Sequence, residues 1–259
     1  MVTLETYRGQ IPPWCPGCGN FAILKAFKDM LVELQLEPHQ ITVVSGIGQA
    51  AKLPHYTRCN TFNGLHGRAL PVATGIRLAN HAMPVIVTTG DGDCYGEGGN
   101  HLLAAIRRNI NVKLFVHNNQ IYGLTKGQPS PTTSEGTKAK NVPSGVISEQ
   151  FNPMALAVAL DCGFAARAFA ADTEHLKGLM KEAMNHQGFL RSSTSSSLVS
   201  RSTRLIPTTG IVSACIILSR SIILKTAWRH FRSRSNGVTA SRSVSSTGIP
   251  GLPLRSVSR

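Results

Sequence analysis

Cys15 and Cys18 stand two residues apart in the stretch WCPGCGN, inside a Pro-Gly turn. Paired thiols at this spacing serve three chemistries: a redox dithiol, half of a zinc site or half of an iron–sulfur site. The spacing alone leaves all three open. A second set of residues lies in GDGDCYGEGGNH, residues 90–101. Gly90 and Gly92 let the backbone approach a phosphate closely, and Asp91 between them is a hard oxygen ligand suited to Mg²⁺. From Gly92, 25 residues intervene before Asn118 and Asn119. Mg²⁺ favours near-octahedral oxygen and is commonly held by one or two protein groups plus phosphates, which an Asp and an Asn can supply. Alone, Gly-Asp-Gly is most often a turn and two asparagines most often end a strand.

Positioning these residues requires particular elements. Residues 20–36 place Ile23, Phe27, Met30 and Leu34 at helical spacing and predict one amphipathic helix. Three short β-branched runs follow, ITVV at 41–44, VIVTT at 85–89 and VKLFV at 112–116, with helix-like segments at 69–80 and 100–108 between them. Strands alternating with helices predict an α/β domain with a mostly parallel sheet flanked by helices. In such sheets ligands bind at the carboxyl ends of the strands, where both the Gly-Asp-Gly loop and the Asn-Asn pair fall. Asn152 and Pro153 mark a further helix start, followed by the strand-like FAARAFA and the amphipathic TEHLKGLMKEAMNH.

The 259 residues carry a net charge of +14, unevenly distributed. Of the 27 Lys and Arg, 11 fall in the last 70 residues, which hold no Asp or Glu and 18 serines; the first 189 residues then carry 16 basic against 13 acidic groups. That balance is ordinary, and nucleic-acid binding is not expected of it, although a disordered Ser/Arg tail contacting RNA is the rival reading of the remainder. No apolar run approaches the roughly 20 residues that span a bilayer. The opening MVTLETYRGQIPPW lacks a basic and then apolar leader, so a cytoplasmic location is expected, with no membrane partner. Six cysteines there read as thiols or ligands rather than disulfides. Cys94 and Cys162 read as structural thiols.

Taken together, Gly-Asp-Gly and Asn-Asn resemble the thiamine-diphosphate motif. With WCPGCGN, VSGIGQAAKLPH (44–55), FNGLHGRALPVATG (62–75) and IYGLTKGQPSPTT (121–133), the chain from 14 to 189 closely resembles the β subunit of 2-oxoacid:ferredoxin oxidoreductases. The resemblance implies a thiamine-diphosphate-binding fold over residues 1–189. It implies that Gly90, Asp91, Gly92, Asn119 and Ile121 hold the cofactor, with Asp91, the Asn119 side chain and the Ile121 carbonyl on Mg²⁺. It places His66 near the diphosphate, Lys52 toward the substrate carboxylate and Leu124 against cofactor or substrate. Without the resemblance, His66 is a capping or surface histidine, Lys52 a solvated charge and Leu124 a packing residue. The implied reaction is oxidative decarboxylation of a 2-oxoacid, 2-oxoglutarate or pyruvate, with coenzyme A, giving acyl-CoA, CO₂ and two electrons for ferredoxin. A glutamate of the α subunit would meet the aminopyrimidine ring, so this polypeptide alone is expected to be inactive. A non-oxidative thiamine decarboxylase subunit, which would need neither Cys15 nor Cys18, is the alternative.

For the cysteine pair the resemblance favours a [4Fe–4S] cluster, with Cys15 and Cys18 as two of the four thiolates it needs. Many relatives carry the third in a GIGCS stretch; this chain has Gln49 there, and Cys59 is the nearest substitute. The fourth lies in a QPC-type segment that is absent. Residues 191–218 can be encoded by codons that, one base out of register, read ALVDILQPCVSFNKVNTNNWYRQRVYYL, a family-like string containing that cysteine. Residues 190–259 are therefore expected to be an out-of-frame, disordered tail without function of its own. If the shift is real, the subunit is expected to be inactive.

Overall fold

The computed structural model describes residues 1–139 and 141–186, together with the backbone of Ala214–Leu218. Helix α1, Gly19–Glu33, ends where Gln35 turns into the left-handed region at φ 51°. Strand β1, Thr42–Ser45, is followed by a 3₁₀ turn, Ala50–Tyr56, and by β2, Asn60–Asn63. Helix α2, Ala69–Ala79, leads to β3, Val85–Gly90. A π-type turn, Gly92–Glu97, runs into α3, Gly99–Arg108, and then β4, Lys113–Asn118. A small hairpin, β5 (Ile121–Tyr122) with β6 (Gln128–Pro129), precedes α4, Pro153–Ala159. Strand β7, Ala165–Phe169, α5, Thr173–Asn185, and β8, Ala214–Leu218, complete the order.

The sheet runs β2-β1-β3-β4-β8-β7. Its first four strands are parallel, and β8 pairs antiparallel with both β4 and β7. Successive strand residues point to opposite faces, which divides the core in two. Val43, Ile86 and Phe115 face α1 and α5, where Ile23, Phe27, Met30, Leu176 and Met180 pack. Val44, Val87, Leu114 and Val116 face the other layer, built by Leu70 and Ala73 of α2 and Leu102 of α3. Burial on both faces is why these strands read as continuous apolar runs rather than alternating ones.

The expected α/β domain and its predicted helices and strands are present, with ends shifted by no more than three residues. Asn152 caps α4 through its side chain, which accepts from Met154 and Ala155 N–H, and Pro153 occupies the first helical position. Strand β2 was not foreseen, since all four of its residues are exposed. Within the expected tail, Ala214–Leu218 departs from the disorder read from the sequence by forming the β8 backbone. The rest of the expectation for residues 190–259, including the expected register shift, lies outside the described residues.

Candidate cofactor and cation site

The loops after β1, β3 and β4 meet at the carboxyl end of the parallel sheet. Gly90 lies opposite His117 in the β3–β4 register, so Asp91 leaves its strand beside Asn118. Asp91 is 1% exposed. Its Oδ2 accepts hydrogen bonds from Ser130 Oγ and Thr132 Oγ1, each at 2.5 Å. Thr132 Oγ1 also stands 2.8 Å from Asn118 Oδ1, which accepts from Gln120 N–H. Burial raises the Asp91 pKa above the ordinary carboxylate value, against the lowering effect of these hydroxyls. Asn119, half-buried, accepts from Ile121 N–H at 3.2 Å, and Ile121 opens the β5–β6 hairpin.

Gly92 lies against the Tyr122 ring. A Cβ there would lie 2.2 Å from the Tyr122 ring, so the missing side chain is what admits the tyrosine over the loop. Tyr122 Oη donates to Glu97 at 3.1 Å. Gly90 is open by comparison, with only Ala50 Cβ at 3.9 Å from a built Cβ.

His66 projects from the loop before α2, with its side chain 49% exposed, and its Nδ1 donates to Asp93 Oδ1 at 3.1 Å. Asp93 is a junction that the sequence reading passed over. It also accepts from Gly67 N–H at 2.8 Å, Thr89 Oγ1 at 2.5 Å and Ile47 N–H at 3.5 Å, joining the loops after β1 and before α2 to β3. One donor atom each of His66, Asp93 and Glu97 lies within 4.8 Å of the others. The signal available in the sequence was the second acid of GDGD, read there only as loop. Lys52 is half-buried in the turn after β1, and no described carboxylate forms an ion pair with it. Leu124 is 42% exposed between β5 and β6.

The cysteine turn also reaches this end of the sheet. Cys18 N–H donates to the Cys15 carbonyl, and Cys18 precedes the first residue of α1. Trp14 packs edge-on against Phe21 and Tyr56 and donates from Nε1 to the Gln49 carbonyl at 3.2 Å, which sets residue 49 beside the turn. Asn20, two residues beyond Cys18, bonds His117 on β4.

Cys59 is half-buried and packs against the same core cluster as Cys18. It neighbours the Tyr7 hydroxyl, which donates to the Leu36 carbonyl beyond the far end of α1, and that helix is roughly 22 Å long at about 1.5 Å per residue. Burial pushes the Cys59 thiol up to about 12, so the site also opposes a thiolate. Cys94 is buried and its thiol is raised by burial, while Cys162 is half-buried.

A buried Asp and paired asparagines thus stand at adjacent parallel strand ends beside a glycine-bounded loop. Residues 40–190 match the family described as thiamine pyrophosphate enzyme, C-terminal TPP binding domain, and the chain belongs to it. It is 47% identical over 186 residues to subunit beta of 2-oxoacid:ferredoxin oxidoreductase 1 from Aeropyrum pernix, covering 71% of this chain and 58% of that relative. It is 45% identical over 175 residues to the 2-oxoglutarate oxidoreductase subunit KorB of Mycobacterium tuberculosis, covering 68% of this chain and 47% of that one. The chain thus spans about half to three fifths of the length of these relatives. Among solved structures it is similar to the 2-oxoglutarate:ferredoxin oxidoreductase from Magnetococcus marinus with 2-oxoglutarate, coenzyme A and succinyl-CoA bound. That likeness has a TM-score of 0.68 and 34% identity, and covers 73% of this chain and 65% of the other.

Proposed function

We propose that this chain is the thiamine-diphosphate-binding β subunit of a 2-oxoacid:ferredoxin oxidoreductase. With an α subunit it converts a 2-oxoacid and coenzyme A to acyl-CoA and CO₂, passing two electrons to ferredoxin. The observation that carries this reading is the convergence of Asp91 with Asn118 and Asn119 at the ends of β3 and β4. The donors are a carboxylate, an amide oxygen and a backbone carbonyl, a hard oxygen set that fits Mg²⁺ with diphosphate oxygens as its remaining ligands.

Asp91, the Asn119 side chain and the Ile121 carbonyl would hold the cation. Bound thiamine diphosphate supplies the carbon nucleophile and electron sink that decarboxylation of a 2-oxoacid requires. Around it, His66 offers a donor to the diphosphate and is oriented by its bond to Asp93. Lys52 sits in the loop after β1 without a carboxylate partner among the described residues and would pair with the substrate carboxylate. Leu124 offers an exposed apolar surface to cofactor or substrate.

A [4Fe–4S] cluster needs four thiolates. Cys15 and Cys18, in the turn before α1, would supply two of them. Among the described residues no helix is long and apolar enough to cross a membrane.

The test is to co-express the full chain with an α subunit of the family and purify the complex. Release of CO₂ and reduction of methyl viologen are then followed with 2-oxoglutarate or pyruvate, coenzyme A, thiamine diphosphate and Mg²⁺. Substrate-dependent viologen reduction is expected. CO₂ release without viologen reduction selects a non-oxidative decarboxylase, and neither activity selects a subunit without turnover.

A further inference from the structure

The segment Ser130-Pro131-Thr132-Thr133 touches every protein donor of the proposed cation site, or its immediate chain neighbour. We infer that Thr132, with Ser130 and Thr133, is a positioning residue set that aims Asp91, Asn119 and the Ile121 carbonyl at one divalent cation; this rests on the thiamine-diphosphate reading above.

Thr132 is fully buried and Ser130 is 6% exposed. Both hydroxyls meet the same carboxylate oxygen, Asp91 Oδ2, at 2.5 Å. A buried carboxylate left without donors would be costly, and two donors on one oxygen fix the plane of the group and leave the other oxygen for a cation. Thr132 Oγ1 also lies 2.8 Å from Asn118 Oδ1, the residue before the proposed ligand Asn119. Thr133 Oγ1 donates at 2.6 Å to the carbonyl of Gln120, which stands between Asn119 and Ile121 and has a left-handed φ of 60°.

The segment is itself closed and braced. Ser130 N–H donates to Thr133 Oγ1 at 2.8 Å and Thr133 N–H to the Ser130 carbonyl at 3.0 Å. From outside, Gln150 Nε2 donates to the Thr132 carbonyl at 2.6 Å and Phe151 N–H to the Pro131 carbonyl at 2.8 Å. Two strand ends that share only a backbone register are thereby tied to one rigid four-residue piece. The hydroxyls act through the ligands, as partners that orient metal-binding carboxylates do.

The experiment uses the full chain in complex with its α subunit. Mn²⁺ binding is measured by the loss of the free-ion EPR signal in the presence of thiamine diphosphate, for wild type, Thr132→Val, Thr132→Ser and Ser130→Ala. Thr132→Val is expected to weaken Mn²⁺ binding about 10- to 100-fold, as loss of a ligand-orienting partner typically does. Thr132→Ser, which keeps the hydroxyl, is expected to stay near wild type. Excess Mn²⁺ should restore full thiamine diphosphate occupancy in Thr132→Val, which a collapsed site would not allow.

Unchanged affinity in Thr132→Val overturns the inference. So does tighter binding, which would mean that the hydroxyl stands in the cation's own place. Failure of Thr132→Ser to rescue also overturns it. Should Thr132→Val yield no folded complex, Ser130→Ala decides, a weakened Mn²⁺ affinity supporting the inference and an unchanged one overturning it. If wild type binds neither Mn²⁺ nor thiamine diphosphate, it is the parent reading that falls.

Discussion

Asn20 and His117, 97 residues apart in the chain, meet in a buried hydrogen bond of 2.9 Å between Oδ1 and Nδ1. The amide oxygen can only accept, so Nδ1 carries the proton. Nε2, 3.2 Å from Thr88 Oγ1, is left to accept from that hydroxyl. One neutral imidazole thus joins the start of α1, just past the cysteine turn, to β3 and β4 two residues before Gly90 and Asn119. Burial depresses the His117 pKa to about 4, from an ordinary value of 6.5.

The sign of the resulting pH dependence follows from linkage. Between about 4 and 6.5 the unfolded chain binds a proton at His117 that the folded chain refuses. Stability is therefore full above 6.5 and lost as pH falls through that window. Urea unfolding at pH 7 and pH 5 should show this component in wild type and not in His117→Gln. Asn20→Ala, which leaves a buried N–H without its acceptor, should cost about 1–3 kcal/mol at pH 7.

Asp91 carries the opposite sign. Its raised pKa means that, without a cation, ionisation of the buried carboxylate opposes folding as pH rises above the ordinary carboxylate range. Asp91→Asn should raise the thermal midpoint of the cation-free protein at pH 7 and remove any further stabilisation by Mg²⁺ with thiamine diphosphate. Differential scanning fluorimetry with and without both reads the two effects; a variant still stabilised by Mg²⁺ would contradict the assignment of Asp91.

Gly92→Ala places a methyl group against the Tyr122 ring, at 2.2 Å from Cε1 and 2.6 Å from Cζ before relaxation. Overpacking of this kind costs about 1–3 kcal/mol. The double variant Gly92→Ala/Tyr122→Ala should lose less than the sum of the singles, because the clash partner is gone. Denaturant midpoints of the four proteins form the cycle.

Thiol chemistry separates the cysteines. Cys15 is exposed, whereas burial pushes the Cys59 thiol to about 12 and raises that of buried Cys94. Brief iodoacetamide treatment of the folded chain at pH 8, followed by peptide mass mapping, should modify Cys15 first and leave Cys59 and Cys94 unmodified. Labelling of Cys59 at the rate of Cys15 would place it in surroundings other than those described.

The legible parts of this fold were those with a repeating signal. Ile23, Phe27 and Met30 announce a helix by their spacing, and the apolar runs of β1, β3 and β4 announce strands buried on both faces. Strand β2 gave no such sign, because Asn60, Thr61, Phe62 and Asn63 owe their conformation to pairing with β1 and bury nothing. The site divided in the same way. Asp91 and Asn119 stand in a spaced motif, while Asp93 and Thr132 matter through hydrogen bonds to residues 14 to 46 positions away, which no local pattern encodes.

The packing of α1 bears on how the chain comes to be made. This helix is synthesised before the elements that cover it. The residues that cover Ile23, Phe27 and Met30 include Phe115 of β4 and Leu176 and Met180 of α5. Its ion pair from Glu33 to Lys181 spans 148 positions. At about 5–20 residues per second, an apolar helix face waits roughly 8 to 30 seconds for its last partners to be synthesised. Closure of this layer waits on the synthesis of α5, and until then the apolar face of α1 lacks these partners.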